Sequence, residues 1–94
     1  MAIGILTLQL HIPECTSLKQ KRGILKPILA RLHREFNVSA AETGFNDRWQ
    51  HAILVCALVS NDCSFCTRAL QTVLDFVSTQ WPNVQIADHR IECI

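Results

Sequence analysis

Basic side chains are concentrated in one stretch of the chain. Residues 17 to 34 contain no Asp or Glu but carry six cationic side chains: Lys19, Lys21, Arg22, Lys26, Arg31 and Arg34. On a helix, at about 100° per residue, four side chains fall within a stripe about 60° wide: Lys19, Arg22, Lys26 and His33. Lys21 borders the other side of the apolar face. Because a row of cations can neutralise successive phosphates, the pattern favours RNA binding through backbone contacts, for example on ribosomal RNA.

A solvated helix face is the alternative interpretation of this stretch. The net charge of the chain is only +1, which argues against strong nucleic-acid binding. The strands also lack the aromatic pattern with which RRM domains stack bases. Trp49 beside Arg48 suits stacking on a base or anchoring of a partner, and packing over the sheet edge is its alternative. The predicted nucleic-acid surface therefore comprises Lys19, Lys21, Arg22, Lys26, Arg48 and Trp49.

Cys63 and Cys66 have the C-x-x-C spacing at a predicted helix start. A helix N-terminus can lower a thiol pKa, which is how redox enzymes activate cysteine. The alternative is one semi-exposed and one buried thiol, because Cys66 falls on the apolar side. A zinc site would need two further ligands, for which His89 and Cys93 are candidates, but no second C-x-x-C follows. Since the five cysteines are odd in number and scattered, we expect reduced thiols and no disulfide scaffold.

No arrangement typical of catalysis is visible. The sequence has no G-x-S-x-G or H-E-x-x-H motif, and its three glycines stand alone, so there is no Gly-rich phosphate loop. His11 and His51 flank predicted strands, and Asp62 suits a helix cap. We therefore expect a binding protein that is not an enzyme and requires no cofactor or metal.

Length and composition indicate a single globular domain over residues 1–94. The chain is 49% hydrophobic and 18% charged, so it can bury a core, whereas disordered chains have the opposite balance. No Lys or Arg precedes Lys19, so we predict no secretory signal. The longest apolar run, Ala52 to Val59, is far shorter than the about 20 residues of a membrane-spanning helix. We expect a cytoplasmic protein without a membrane partner.

Hydrophobic periodicity predicts six elements in the order strand, helix, strand, strand, helix, strand. Their predicted ranges are Ala2–Ile12, Ser17–Asn37, Val38–Glu42, Ala52–Val59, a helix from Ser60-Asn61-Asp62 to Pro82, and Val84–Ile94. Pro27 predicts a kink or local loosening in the first helix, and blurred alternation near Ala87 and Asp88 predicts a bulge. The order is that of a ferredoxin-like α+β sandwich, with a four-stranded antiparallel sheet and two helices on one face.

Four segments of the chain match a known sequence pattern: residues 17–22 (SLKQKR), residues 36–42 (FNVSAAE), Trp49-Gln50 with Ala52, and residues 60–62 (SND). In these segments the chain resembles the YlxP-like family of small bacterial proteins of unknown function. The resemblance covers nearly the whole chain with matching order and spacing. It implies the ferredoxin-like fold and a bacterial cytosolic protein whose gene often neighbours translation genes, but no assigned activity. The chain departs from the family pattern at Gly23, at Pro27 and at the Cys63/Cys66 pair, so the resemblance does not support thiol chemistry there.

The sheet face opposite the helices is predicted to be open and partly apolar. Ile5, Ile53, Val55 and Val59 would lie there beside Thr7, Gln9 and His11. An apolar patch of this kind is a candidate interface, so we predict a homo-oligomer, a dimer, that uses Ile5, Thr7, Ile53 and Val55. A monomer with some apolar surface is the alternative. The sequence thus leaves two main hypotheses: RNA or ribosome binding by the first helix, and protein association through the open face.

Overall fold

The computed structural model describes residues 1–94. Its elements are β1 (Ala2–His11), α1 (Leu18–Glu35), β2 (Ser39–Gly44), β3 (His51–Ser60), α2 (Cys63–Gln80) and β4 (Gln85–Cys93). The sheet holds the strands in the order β2-β3-β1-β4, and every neighbouring pair is antiparallel. The predicted ferredoxin-like α+β sandwich is confirmed. Neither helix is long and apolar enough to cross a membrane.

Alternation along the two central strands positions the core. Even-numbered residues of β1 from Leu6 to Leu10 and of β3 from Ala52 to Leu58 are buried, while the odd-numbered residues between them are partly exposed. The buried residues of α1 and α2 lie on the same side of the sheet and complete a cluster of 19 apolar residues. Burial of each large aliphatic side chain stabilises the fold by about 1.5–3 kcal/mol.

Local signals place both helix starts as expected. The Ser17 hydroxyl accepts a hydrogen bond from Gln20 N–H at 3.0 Å, and the Asp62 carboxylate accepts one from Ser64 N–H at 3.0 Å. The return bond of the predicted capping box is displaced by one residue, because Gln20 Oε1 accepts from Thr16 N–H at 2.8 Å. Helix α1 continues through Pro27, which is exposed, and ends at Glu35.

The expected bulge in β4 is present. Gln9 pairs with Asp88 but Leu10 pairs with Ile86, so Ala87 is the extra residue. The bulge allows Ile86 and Ile91, which are an odd number of residues apart, to lie opposite the buried residues Leu10 and Leu6 of β1. Strand β2 begins and ends later than predicted, at Ser39 and Gly44, because its pairing with β3 continues past Glu42.

The cysteine prediction was wrong for two of the five residues. Cys63 and Cys93 are joined by a disulfide with a Cα–Cα distance of 5.9 Å, whereas Cys15, Cys56 and Cys66 are free and buried. Sequence spacing concealed this pair, because 30 residues separate its members and only the antiparallel return of β4 brings them together. The alternative of a zinc site is also wrong for this form, because two of its candidate ligands, Cys63 and Cys93, are bonded to each other.

Candidate functional site

Three exposed cations follow one side of α1 and are called here the basic stripe: Lys19, Arg22 and Lys26. The stripe lies on the side of α1 that borders β2. His33, at the far end of this side, shows the orientation, since its Nε2 accepts a hydrogen bond from the Ala40 N–H of β2 at 3.1 Å. The chain has four ion pairs and none of them involves the basic stripe, so its charges are free for an external anion.

Lys21 occupies a different position from the one predicted. Its side chain is 2% exposed, and its Nζ donates hydrogen bonds to the carbonyl oxygens of Phe45 at 2.6 Å and Arg48 at 2.8 Å. The Glu42 carboxylate lies 2.8 Å from the same Nζ and forms an ion pair with it. A buried ammonium needs hydrogen-bond acceptors and a balancing charge, and the two carbonyls and the carboxylate supply them here. Lys21 is therefore an internal anchor and does not belong to the exposed basic surface.

This anchor fixes the segment of residues 45–50, called here the β2–β3 loop, against the first turn of α1. Phe45 has φ 58°, a left-handed conformation that side chains rarely adopt, and its carbonyl is one of the Lys21 acceptors. Gln50 adds a second anchor, because its Nε2 donates to the carbonyls of Pro13 and Cys15 at 3.2 and 3.3 Å. The loop is thus held from two sides rather than extending freely.

The β2–β3 loop presents the other two predicted residues at its surface. Trp49 is 52% exposed, so about half of its surface is open to a stacking partner. The Arg48 guanidinium lies 5.4 Å from the centre of the Phe45 ring, a cation–π contact that supports the arginine from below. Because Lys21 binds the Arg48 carbonyl, the structure brings Arg48 and Trp49 to the same end of α1 as Lys19 and Arg22.

Arg31 and Arg34, the remaining cations of α1, differ in their exposure and contacts. The Arg31 guanidinium lies 4.9 Å from the Phe76 ring centre and 5.7 Å from that of Trp81, and it therefore joins α1 to the end of α2. Arg34 is exposed. Only some cations of residues 17 to 34 are therefore fully exposed. Which of them are exposed depends on how α1 is rotated about its axis relative to the sheet.

The open sheet face carries all four predicted interface residues. Ile5 lies opposite Ala57, Thr7 opposite Val55 and Gln9 opposite Ile53, so the apolar side chains alternate with polar ones across the two central strands. All of these residues are partly exposed. At the edge of this face, β4 contributes the charged residues Asp88, Arg90 and Glu92, and an Arg90–Glu92 ion pair of 2.8 Å.

Two histidines lie at the end of the open face nearest the β2–β3 loop. The rings of His11 and His51 stack with centres 5.1 Å apart, and the Phe45 ring meets His51 edge-on at 5.8 Å. His11 Nδ1 lies 3.4 Å from Gln85 Oε1. No group of three or more His, Cys, Asp or Glu residues is placed to hold a metal ion. The histidine pair therefore extends the aromatic surface of the loop onto the sheet.

Comparison with known proteins places this architecture in a family. Residues 3–91 match the family model described as protein of unknown function (DUF503). The chain belongs to the DUF503 family. It is 37% identical over 90 residues to the uncharacterized protein YlxP of Bacillus subtilis (strain 168), an alignment that covers 96% of this chain and 97% of that protein. The resemblance to YlxP-like proteins seen in the sequence is confirmed.

The features of this DUF503 protein that sequence reasoning missed are its long-range contacts. The burial of Lys21 had one visible signal, since at about 100° per residue it falls within the arc of Leu25, Ile28 and Leu32. No signal in the sequence indicated the acceptors of Lys21, because two of them are backbone carbonyls of a loop more than twenty residues away. The His33–Ala40 contact was equally invisible, since it depends on how α1 packs beside β2.

Proposed function

We propose that this DUF503 protein is a non-enzymatic module that binds RNA, on ribosomal RNA or the ribosome. The binding surface consists of the basic stripe together with Arg48 and Trp49 of the β2–β3 loop. The observation that carries the proposal is the Lys21 anchor, which holds this loop beside the first turn of α1 and so combines a row of cations with an exposed aromatic ring. A merely solvated helix face would need no such anchor.

The charge arrangement supports backbone binding rather than reading of bases. Lys19, Arg22 and Lys26 are three and four residues apart, which places neighbours about 5–6 Å from one another along the helix. None has a carboxylate partner that an RNA phosphate would need to displace. Each phosphate neutralised releases counterions, so affinity gained in this way is independent of sequence and sensitive to salt.

Trp49 and Arg48 give the surface a preference for unpaired nucleotides. Stacking of a base on an aromatic ring contributes about 1–3 kcal/mol, and only an unstacked base can reach an exposed ring. Arg48 is held over the Phe45 ring and can contact the adjoining phosphate. Loops and ends of structured RNA are therefore the expected targets, more than uninterrupted duplex.

Binding to ribosomal subunits and structured RNA across a salt series tests the proposal. The variant Lys19→Gln/Arg22→Gln/Lys26→Gln is expected to bind weakly, and to lower the slope of log K against log salt by about 2, from about 0.7 per lost phosphate contact. The matched control is Arg34→Gln/Arg68→Gln/Arg90→Gln, which removes the same charge from exposed positions elsewhere. Equal losses in both variants, or no binding of the wild type at low salt, would contradict the proposal.

The open sheet face supports a second candidate, a homodimeric protein-interaction module. Its supporting observation is the strip of partly exposed Ile5, Ile53 and Val55 in the centre of the sheet, where the helices provide no cover. Apolar association of this kind depends little on salt and is expected to be lost in Val55→Lys. Sedimentation equilibrium distinguishes the two, since a wild-type monomer at high salt and high concentration would leave this candidate without support.

A further inference from the structure

We propose that Cys63 and Cys93 form a reversible thiol–disulfide couple that fastens the end of β4 to the start of α2 when oxidised. The two Cα atoms lie 5.9 Å apart and the bond joins residues 30 positions apart in the chain. Cys63 is the first residue of α2 and Cys93 the last residue of β4. The bond therefore connects the helical layer directly to an edge strand of the sheet.

Apart from the bond, this end of β4 is attached to the sheet along one side. Strand β4 has a single neighbour, β1, and Cys93 lies opposite Gly4. Beyond this pair, two backbone hydrogen bonds between Ile3 and Ile94, of 2.8 and 2.9 Å, complete the ladder. An edge strand held from one side opens more readily than a central strand, so a covalent link here changes local opening without altering the core.

Three features indicate a reversible couple rather than a fixed structural bridge. Neither cysteine is among the 19 buried apolar residues of the core, although Cys93 packs against them, so the core itself does not contain the bond. Cys63 is exposed, and an attacking thiolate can therefore reach its sulfur. The position of Cys63 at the α2 N-terminus, with Arg68 lining the same surface depression, stabilises its thiolate both as nucleophile and as leaving group. The Asp62 carboxylate opposes this effect but is engaged with Ser64 N–H.

The other free thiols are unsuited to the same exchange. Cys66, which shares the C-x-x-C spacing with Cys63, is fully buried, and its Sγ lies 3.3 Å from the Ser60 hydroxyl. Cys15 and Cys56 are also fully buried. The structure therefore selects Cys93, not Cys66, as the partner of Cys63.

The chemistry balances with a low-molecular-weight disulfide such as oxidised glutathione as the oxidant. The Cys63 thiolate attacks one glutathione sulfur, forms a mixed disulfide and expels a glutathione thiolate. The Cys93 thiolate then attacks the Cys63 sulfur, forms the protein disulfide and expels the second glutathione thiolate. Two protein thiols are oxidised, one glutathione disulfide is reduced to two thiols, and the two protons pass from the cysteines to the glutathiones. Excess reduced glutathione reverses both steps.

Equilibration of the whole chain in buffers of varied reduced-to-oxidised glutathione ratio tests the couple. Thiols are trapped by alkylation and the linked peptides identified by mass spectrometry. One two-electron transition, confined to the Cys63–Cys93 peptide pair, is expected. Cys63→Ser and Cys93→Ser should form no intramolecular disulfide, and the control Cys66→Ser should titrate at the wild-type ratio because serine retains a hydrogen-bonding group towards Ser60.

Amide hydrogen exchange of the two redox forms supplies the second measurement. Reduction is expected to speed exchange at residues 91–94 by about tenfold, while the buried face of α2 remains protected. The proposal is overturned if the bond stays oxidised throughout the series, if Cys63 pairs with Cys66 or with another molecule, or if exchange at residues 91–94 is the same in both forms. Since the bond lies at the opposite end of the sheet from the β2–β3 loop, these outcomes are independent of RNA binding.

Discussion

Lys21 is a buried residue that determines the position of exposed ones. Its ammonium is enclosed by Glu42 and by two carbonyls of the β2–β3 loop, so its charge is neutralised inside the protein. The loop that it holds exposes Arg48 and Trp49 at the surface. The sequence prediction grouped Lys21 with its cationic neighbours on charge, although its position around the helix axis falls within the apolar arc. Packing shows which groups accept its hydrogen bonds.

Removal of the Lys21 charge should destabilise the protein and loosen the loop. Lys21→Met leaves the Glu42 carboxylate without its counter-charge and two carbonyls without their donor, and breaking a buried pair in this way costs about 3 kcal/mol. Urea unfolding measures the loss, with Lys19→Met as the control, since Lys19 is exposed and its replacement should change the free energy of unfolding by less than about 0.5 kcal/mol. Equal stability of the two variants would show that Lys21 is not an anchor.

Cys56 predicts a decline of stability at high pH. Burial in the centre of β3 raises the pKa of its thiol from 9.0 to about 11. Between these values the unfolded chain releases a proton that the folded chain retains, so the free energy of unfolding falls as pH rises from about 9 to about 11. The full effect is up to about 3 kcal/mol, at 1.36 kcal/mol per pKa unit. Urea unfolding at several pH values should show a shallower decline in Cys56→Ala, and parallel profiles would contradict the assignment.

At the scale of the elements, α1 combines an unusual sequence with an ordinary helix. Gly23 and Pro27 depart from good helix formers, yet the helix is continuous from Leu18 to Glu35. The buried residues Leu25, Ile28 and Leu32 hold it against the sheet, and this packing outweighs the weak local propensity. Periodicity predicted the helix correctly because the apolar positions, and not Gly23 or Pro27, determine which face is buried.

Gly23→Ala is expected to stabilise α1. A Cβ at this position would have no neighbour within 4 Å, and alanine exceeds glycine in helix propensity by about 1 kcal/mol. Gly4→Ala is the opposing control, because its Cβ would lie 2.8 Å from Cys66 Cβ and 3.0 Å from Leu70 Cδ1. The midpoint temperature of thermal unfolding should therefore rise for Gly23→Ala and fall for Gly4→Ala. A lower midpoint for Gly23→Ala would mean that the glycine has a conformational role.

At the scale of the whole molecule, the features set by nearby residues could be predicted from the sequence, and those set by contacts between distant residues could not. Element order, the two caps and the β4 bulge depend on nearby residues or on alternation, and all were predicted from the pattern. The Lys21 acceptors and the Cys63–Cys93 bond join positions that only the completed topology brings together. The two lie at opposite ends of the sheet, one beside the β2–β3 loop and one where β4 ends. A cytoplasmic location stays a prediction.

The contact between His33 and Ala40 has a consequence for how molecules of this protein can meet. An open sheet has two edges, and unpaired edges invite growth by strand addition, the first step of aggregation. Here the outward N–H of Ala40 on β2 is already occupied by an imidazole from α1. The other edge, β4, is interrupted by the Ala87 bulge and lined with charge. Each border is thereby interrupted at one point, by the imidazole on β2 and by the bulge on β4, and this disfavours pairing with a foreign strand.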